Sequence, residues 1–298
     1  MKNRDRLTRY NSTNVRVNGF KQVLVYWHLS FLNALAPKLV EQLIRKLFFI
    51  PRCRPLKAVE KEFLDRGERF FIKVNGEDVV CWRWGSGPSI LFAHGWNGRG
   101  IQFRTFIQSV LEHGYSAIAF DGPGHGESGK RSSSYFQMTD AVRALLKDST
   151  DQPLLGLIGH SFGAAAIVNA QHKEHTKIPA VLLAPALQLQ RLLDEAFQFH
   201  GVPLEIFYKI ISHYENEYHY KLTEDNPAQI LPSLDIPVLI IHDEHDQVVP
   251  VTDSKNSAQI SDNLDLMITT GLGHSRILKN KEIIEYALDY LTDHRKSE

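Results

Sequence analysis

The pentapeptide Gly159-His160-Ser161-Phe162-Gly163 places a serine between two glycines, and its surroundings predict a strand-to-helix turn. Residues 154–158 form an apolar run typical of a buried strand, and the small apolar residues 164–168 favour a helix. A turn of this kind is strained, and its glycines allow a tight backbone and close packing of the helix on the strand. The pattern predicts a serine hydroxyl presented at the carboxyl end of a sheet. A passive serine in a glycine-rich turn is the alternative.

Short apolar runs recur on both sides of this turn and alternate with stretches of helical pattern. They span residues 89–93, 116–120, 154–158, 180–183, 238–241 and 264–268. Such alternation indicates a mostly parallel sheet with helices on both faces. Upstream, residues 69–74 and 78–84 flank Asn75-Gly76, a pair that favours a β-hairpin.

The pattern divides the chain into four parts. Residues 1–66 are predicted to form an N-terminal helical extension, and residues 67–186 the first part of an α/β core. Residues 187–235 are too many for a structureless connection, so we expect a helical insertion that acts as a lid. Residues 236–298 complete the core.

The N-terminal extension holds an amphipathic segment, residues 38–50, whose apolar positions recur at helical spacing. We expect this helix to pack on the main domain, with a membrane-surface anchor as the alternative. The preceding apolar stretch, residues 23–36, has a basic leader like a signal peptide, but His28, Ser30 and Asn33 interrupt it. It is also too short and polar to span a bilayer. The expectation is a cytoplasmic protein, with peripheral membrane contact through these helices left open.

Composition excludes some partners and chemistries. Of the 298 residues, 34 are basic and 34 acidic, so no whole-chain field favours nucleic acid, and none is expected as a partner. The two cysteines, Cys53 and Cys81, are too few for a disulfide framework and are interpreted as reduced structural thiols.

A serine hydroxyl becomes a nucleophile when a histidine removes its proton, and a carboxylate must hold that histidine in the right tautomer. His274 follows the last predicted strand, and Asp246 follows the strand before it. The order Ser161, Asp246, His274 is the one expected for a serine on such a turn. Asp243 is the second choice for the acid. The ionisable run at residues 242–246 also raises a metal site, but no distant ligand cluster accompanies it, so we expect no metal.

Two backbone N–H groups are candidates to stabilise an oxyanion. One belongs to Phe162, the residue after the serine, and the other to Trp96, in the loop after residues 89–93. His94 is interpreted as a brace for that loop. Residues 121–128 contain three glycines, but Glu127 stands where a dinucleotide-binding fingerprint needs its last glycine. This segment is therefore predicted to be a scaffold beneath the site.

From about residue 70 to 292 the chain resembles the α/β-hydrolase superfamily. The resemblance rests on HGW at 94–96, DGPGHGES at 121–128, GHSFG at 159–163, the Asp246-x-x-Val-Pro loop and Gly273-His274. It implies an eight-stranded, mainly parallel sheet, a two-step acyl-serine mechanism and no cofactor. The serine at position 161 argues against the branches that use an aspartate nucleophile. Roughly the first sixty residues lie outside the resemblance.

Hydrolysis of a carboxylic ester or thioester is the favoured prediction, because the insertion is rich in apolar and aromatic residues. Four of these are candidates to wall an acyl pocket, although some of them must instead pack the insertion onto the core: Val202, Phe207, Ile211 and Tyr214. Acyl transfer or peptide cleavage by the same triad is one alternative, and Glu215 and Glu217 are candidates to bind a peptide amine. A non-catalytic binding protein of this fold is the other. The sequence does not define the substrate, because fold does not fix function.

Overall fold

The structure of the chain is a computed structural model that describes residues 19–129, 131–148, 154–261 and 263–295. In this part of the chain a single eight-stranded sheet has the order β1-β2-β4-β3-β5-β6-β7-β8. The pairs β1–β2 and β2–β4 are antiparallel, and all other pairs are parallel. The strands are β1 (Glu68–Val74), β2 (Glu77–Trp84), β3 (Ser89–Ala93), β4 (Ser116–Phe120), β5 (Leu154–His160), β6 (Ala180–Leu183), β7 (Val238–Asp243) and β8 (Leu264–Thr269). The predicted fold class is confirmed.

Helices cover both faces of this sheet, as the nearly continuous apolar strands require. On β3, Leu91 packs into the cluster formed with α5 and α6, whereas Ile90 and Phe92 pack into the cluster formed with α4 and α12. The α-helices are α1 (Phe20–Leu35), α2 (Pro37–Phe48), α3 (Ala58–Asp65), α4 (Arg104–Glu112), α5 (Tyr135–Asp148), α6 (Phe162–Glu174), α7 (Leu189–Phe199), α8 (Leu204–Tyr218), α9 (Pro227–Ile230), α10 (Val251–Ala258), α11 (Gly273–Arg276) and α12 (Lys281–Arg295).

The long connection between β6 and β7 contains α7, α8 and α9, and it packs against the N-terminal helices through aromatic side chains. The ring of Phe48, at the end of α2, lies 4.8 Å from that of Phe197 on α7. Phe49 stacks on Tyr214 of α8 at 5.4 Å. The N-terminal helices and the insertion therefore pack against each other.

The N-terminal helices are only half covered by this packing. On α2, Val40 and Ile44 are buried, whereas Leu39, Leu43 and Leu47 are exposed. On α1, Leu29 is buried and most other large apolar side chains are exposed. Within the described ranges, no helix combines the length and apolar character needed to cross a membrane.

Candidate active site

Ser161 occupies the sharp turn between β5 and α6, with φ of 54° and ψ of −116°. This conformation is strained for a residue with a side chain, and it turns the chain from strand into helix within one residue. The flanking glycines are required by contact. A Cβ on Gly159 would lie 2.5 Å from the Cα of Ala164, and one on Gly163 would lie 2.1 Å from the carbonyl oxygen of Ala93. The sequence pattern around Ser161 is therefore a consequence of close backbone packing.

The loop after β3 approaches the same turn. A Cβ on Gly95 would lie 3.0 Å from the Cβ of Ser161, so the lack of a side chain there lets the loop lie beside the serine. The next residue, Trp96, packs its ring against Phe162 at 5.7 Å. In the described part of the chain, the backbone N–H groups of Trp96 and Phe162 have no hydrogen-bond acceptor. The two predicted donors therefore have no competing acceptor among the described residues.

His274, on α11, donates a hydrogen bond from Nδ1 to Oδ2 of Asp246 at 2.7 Å. The other carboxylate oxygen of Asp246 accepts from the backbone N–H groups of Val248 and Val249, at 2.7 Å and 2.9 Å. Burial by itself raises the pKa of Asp246, but hydrogen bonds from His242, His274 and Val249 outweigh it and hold the pKa well below its usual range. Asp246 is therefore an ionised acceptor that fixes the ring of His274.

Asp243, the second choice for the acid, has a different set of partners. Its Oδ2 accepts from Thr269 Oγ1 at 2.9 Å and from the backbone N–H of Leu272 at 2.8 Å. Its Oδ1 accepts from the N–H of His245. Asp243 therefore holds together the loops that carry Asp246 and His274.

Two buried histidines, His242 and His160, were not identified as site residues from the sequence, and they support the loops that carry Asp246 and His274. His242 binds Ser254 through Nδ1 at 2.7 Å, and its Nε2 lies 3.1 Å from the carbonyl of Val249 and 3.3 Å from Oδ2 of Asp246. The available signal was a histidine at the end of an otherwise apolar strand.

His160, next to Ser161, donates from Nε2 to the backbone carbonyl of His274 at 2.8 Å. Its Nδ1 lies 3.3 Å from the side-chain nitrogen of Gln102 and accepts from it. Burial and the neighbouring His274 lower the pKa of His160 to about 3, so its ring is neutral near pH 7. His160 thus links the loop of His274 to the serine turn.

The residues predicted to act as scaffold lie beneath the serine. His94 accepts the backbone N–H of Gly122 at 2.8 Å and is fully buried, with its pKa lowered to about 4 by burial. Asp121 accepts the N–H groups of Gly100 and Glu127, both at 2.9 Å. These bonds tie the two loops after β3 and β4 together and fix the position of Trp96.

Two cavities meet at Ser161 and share Trp96, Asn97 and His274 on their walls. The first, of about 430 Å³, is mainly apolar and lies between the insertion and the core. It is called the apolar cavity; its wall includes Phe48, Phe49, Phe162, Leu192, Phe197 and Ile211. The second, of about 490 Å³, is called the polar cavity and lies between residues 54–60, residues 95–105 and residues 274–279. Ser161 is 8% exposed, and its hydroxyl makes no hydrogen bond to a described residue.

Of the four insertion residues expected to wall an acyl pocket, only Ile211 lines the apolar cavity. Phe207 is fully buried against Phe197, with ring centroids 4.3 Å apart. Tyr214 is buried under Phe49, and Val202 is buried beside α1. These three residues pack the insertion, and the interpretation of them as pocket residues is corrected. The aromatic side chains on the wall include Phe48 and Phe49 from the N-terminal segment, Phe162 from the core and Phe197 from the insertion.

The remaining sequence candidates lie away from both cavities. Glu215 accepts the N–H of Leu222 at 2.8 Å, and neither Glu215 nor Glu217 lines either cavity. Among the described residues, no group of three or more His, Cys, Asp or Glu side chains is placed to hold a metal ion.

Comparisons with known proteins agree with this architecture. Residues 90–285 match the alpha/beta hydrolase family. A non-heme chloroperoxidase of Kitasatospora aureofaciens is 26% identical over 252 residues, covering 67% of this chain and 90% of that protein. A bifunctional esterase/perhydrolase of Acinetobacter calcoaceticus is 25% identical over 265 residues, covering 70% and 94%. An esterase structure from Pyrococcus furiosus superposes with a TM-score of 0.63 at 18% identity, covering 83% of this chain and 98% of that one.

Proposed function

The chain belongs to the alpha/beta hydrolase family, and we propose that it is a serine hydrolase that cleaves a carboxylic ester or thioester through an acyl-serine intermediate. The observation that supports this most is the hydrogen bond between Asp246 and His274. His274 and Ser161 both line the two cavities. A carboxylate, an imidazole and a hydroxyl in this order are the parts of a charge-stabilised general base and its nucleophile. Their hydrogen bonds often tighten only when substrate is bound.

In the first half of the reaction, Oγ of Ser161 attacks the acyl carbon while Nε2 of His274 takes its proton. The N–H groups of Trp96 and Phe162 stabilise the negative charge on the former carbonyl oxygen. The tetrahedral intermediate collapses, and His274 gives the proton to the leaving oxygen or sulfur. Asp246 stabilises the imidazolium throughout.

In the second half, water attacks the acyl-serine and His274 takes one of its protons. Collapse of this intermediate breaks the bond to Oγ, releases the carboxylic acid and restores the hydroxyl of Ser161. The apolar cavity suits the acyl chain, because aromatic and aliphatic side chains line its approach to Ser161.

Hydrogen peroxide is a second acceptor for the same acyl-serine. Attack by peroxide would release a peracid and restore Ser161, so the bond changes parallel those of hydrolysis. The names of the relatives favour testing it, since one is an esterase/perhydrolase and another a non-heme chloroperoxidase. Peptide cleavage is less favoured, because Glu215 and Glu217 lie outside both cavities.

Labelling with a fluorophosphonate, followed by a chain-length panel of 4-nitrophenyl esters, tests the proposal. We expect wild-type protein to be labelled at Ser161 and to hydrolyse the esters, and Ser161→Ala to do neither. Adding hydrogen peroxide to the same assay measures peracid formation. An unlabelled and inactive wild-type protein would refute a hydrolase, and an active Ser161→Ala would refute the nucleophile.

We also propose that α1 and α2 dock on a lipid bilayer. Trp27, Phe31, Leu35 and Leu39 are each 65–68% exposed, and seven other large apolar residues on these helices are at least 41% exposed. Soluble monomers rarely expose so continuous an apolar surface. The charges fit an anionic bilayer: Lys21, Lys38 and Lys46 lie on the same helices. Residues 1–18 add five basic residues against one acidic residue.

Co-sedimentation with vesicles of phosphatidylcholine, with and without phosphatidylglycerol, tests this docking. We expect binding that the anionic lipid strengthens, and a loss of affinity of at least about tenfold in Trp27→Ala/Phe31→Ala, since each side chain contributes about 1.5–3 kcal/mol on burial. Ile260→Ala is the matched control, because Ile260 is 65% exposed and does not belong to these helices. Dimerisation through the same residues without vesicle binding would contradict docking on a bilayer and would indicate that a second copy of the chain covers this surface.

A further inference from the structure

The polar cavity is a positively charged chamber beside the nucleophile. Four cationic side chains line it and only one carboxylate, that of Glu60. The cations come from three separate parts of the chain: Arg54 and Lys57 before α3, Arg104 at the start of α4, and Lys279 after α11. The fold thus brings together cations that are distant in sequence.

The single carboxylate in this cavity is already neutralised. Nη1 of Arg54 donates to Oε2 of Glu60 at 2.7 Å, and Nη2 donates to the other oxygen. The backbone N–H of Lys57 adds a bond to Oε2 at 2.9 Å. In the described part of the chain, Arg104 and Lys279 have no acidic partner. Lys57, Arg104 and Lys279 therefore leave positive charge in the cavity that no ion pair with a described carboxylate balances.

We infer that the polar cavity binds the leaving group of the substrate and that this group carries a phosphate. The inference rests on the proposed function, because it assigns the two cavities to the two halves of one ester or thioester. The apolar cavity takes the acyl chain, which leaves the polar cavity for the other substituent of the carbonyl. His274, which protonates the leaving atom, begins the segment whose Leu278 and Lys279 line the polar cavity.

Phosphate matches this wall better than a neutral or a singly charged group. It carries up to two negative charges and three acceptor oxygens, so it can engage several cations at once. Arg104 offers a planar fork that binds two phosphate oxygens, whereas lysines act as compact point charges. A cavity of about 490 Å³ has room for a polar group that continues beyond the phosphate.

Two matched pairs of substrates test the inference. They also distinguish the two possible sources of the phosphate, a nucleotide-bearing thiol and a lipid headgroup. Octanoyl-coenzyme A and octanoyl-pantetheine are thioesters that differ by the phosphate-bearing nucleotide. 1-Octanoylglycerol 3-phosphate and 1-octanoylglycerol are esters that differ by one phosphate of a lipid headgroup. We expect kcat/KM to favour the phosphate member of at least one pair by about tenfold or more, and the advantage to shrink as salt rises.

The variant Arg104→Ala/Lys279→Ala links that preference to the cavity. We expect it to lower the ratio of kcat/KM for the phosphate-bearing substrate to kcat/KM for its neutral partner by about tenfold, mainly through KM. Lys279→Glu, one charge reversal at an exposed position, should lower the ratio as well. Lys255→Ala is the control, because Lys255 is exposed on α10 and lines neither cavity; its ratio should equal that of wild type.

The outcomes distinguish this inference from the function beneath it. Cleavage of the neutral substrates through a labelled Ser161, with no phosphate preference in either pair, would overturn the phosphate subsite and leave the hydrolase intact. A preference that survives in both the double variant and Lys279→Glu would also overturn it. Failure of wild-type protein to label and to cleave any of the four substrates would overturn both.

Discussion

Asp243 and Asp246 lie three residues apart in the sequence, and their hydrogen-bond partners give them different structural roles. Asp246 accepts from the ring of His274, whereas Asp243 accepts from Thr269 and from the backbone of Leu272. One carboxylate orients an imidazole, and the other holds the loop that carries it. Substituting the two aspartates should therefore have different effects: loss of activity for Asp246 and loss of stability for Asp243.

We expect Asp246→Asn to lower kcat by roughly 10⁴-fold, because an amide at this position favours the wrong tautomer of His274. Asp243→Asn should lower kcat far less and the melting temperature more, because it loses one acceptor for buried loop donors. Ester kinetics and thermal unfolding of both variants check this. A larger loss of kcat in Asp243→Asn would return the orienting role to Asp243.

At this scale, the contact between Asp246 and His274 could be anticipated, since both follow neighbouring strands of a parallel sheet. The roles of His160 and His242 could not. Each ring bonds a backbone carbonyl, that of His274 or of Val249, and any residue type supplies a carbonyl, so no motif marks these bonds. Their side-chain partners Gln102 and Ser254 belong to no recognised motif either. The cationic lining of the polar cavity was not predictable for a similar reason, because Arg104 and Lys279 are far apart in the sequence and come together only in the fold.

Among the elements, the turn from β5 to α6 is conformationally strained, because a non-glycine residue, Ser161, occupies it. A non-glycine residue in such a conformation costs on the order of 1–3 kcal/mol, part of which glycine would recover. We expect Ser161→Gly to melt about 2 °C higher than Ser161→Ala, a shift corresponding to about 1 kcal/mol. Both variants lack the hydroxyl and should be inactive. Equal melting temperatures would show that the turn is not strained.

The insertion is clamped to the core by a cluster of polar side chains at the end of α8. Arg143 of α5 donates to Glu174 at 2.6 Å and to Asp140 at 2.9 Å. The hydroxyl of Tyr220 donates to Asp140 at 2.6 Å. We expect Arg143→Ala to cost about 2 kcal/mol of stability, because it removes the charge-assisted hydrogen bonds to Glu174 and Asp140 and leaves Glu174 paired only with the more exposed Lys147.

Hydrogen exchange locates the effect of that substitution. Faster exchange should be confined to residues 215–222 and the facing turns of α5 and α6, while the sheet stays protected. Arg66→Ala is the control, because Arg66 pairs with Glu62 on an exposed helix face and should change stability by less than about 0.5 kcal/mol. Uniform exchange across the sheet would contradict a local clamp.

Strand positions were the most predictable part of the architecture. The predicted strand at 89–93 matches β3, whereas that at 154–158 stops two residues before the end of β5. The difference is His160, a polar residue that pairs with Leu183 and ends an apolar run without ending the strand. The wall of the apolar cavity was not predictable, because Phe48 and Phe49 lie outside the region of resemblance and fold back onto it.

For the molecule as a whole, three buried histidines set a pH dependence. Burial lowers the pKa of His94 to about 4 and, with a smaller effect from a neighbouring histidine, those of His125 and His160 to about 3. The unfolded chain protonates these rings below about pH 6.5, so unfolding takes up protons between about pH 3 and 6.5. Stability should therefore fall as the pH falls through this window, by up to about 2 kcal/mol per histidine at pH 5.

Urea denaturation of wild type, His160→Gln and His172→Gln at pH 7 and pH 5 measures this effect. We expect the difference in unfolding free energy between the two pH values to shrink in His160→Gln. It should be unchanged in His172→Gln, because that ring lies near the exposed end of α6. Equal differences in all three proteins would show that His160 does not contribute.

Helix α2 belongs to two surfaces at once. Its exposed leucines extend the apolar face of α1, and its last residue, Phe48, lines the cavity beside Ser161 with Phe49. A bilayer that shifts this helix and thereby changes the affinity of the apolar cavity for a ligand must, by thermodynamic reciprocity, have its own affinity changed by that ligand by the same factor. Such an enzyme would be tuned by the surface on which it rests. Deleting residues 1–50 would remove the attachment and the binding wall together.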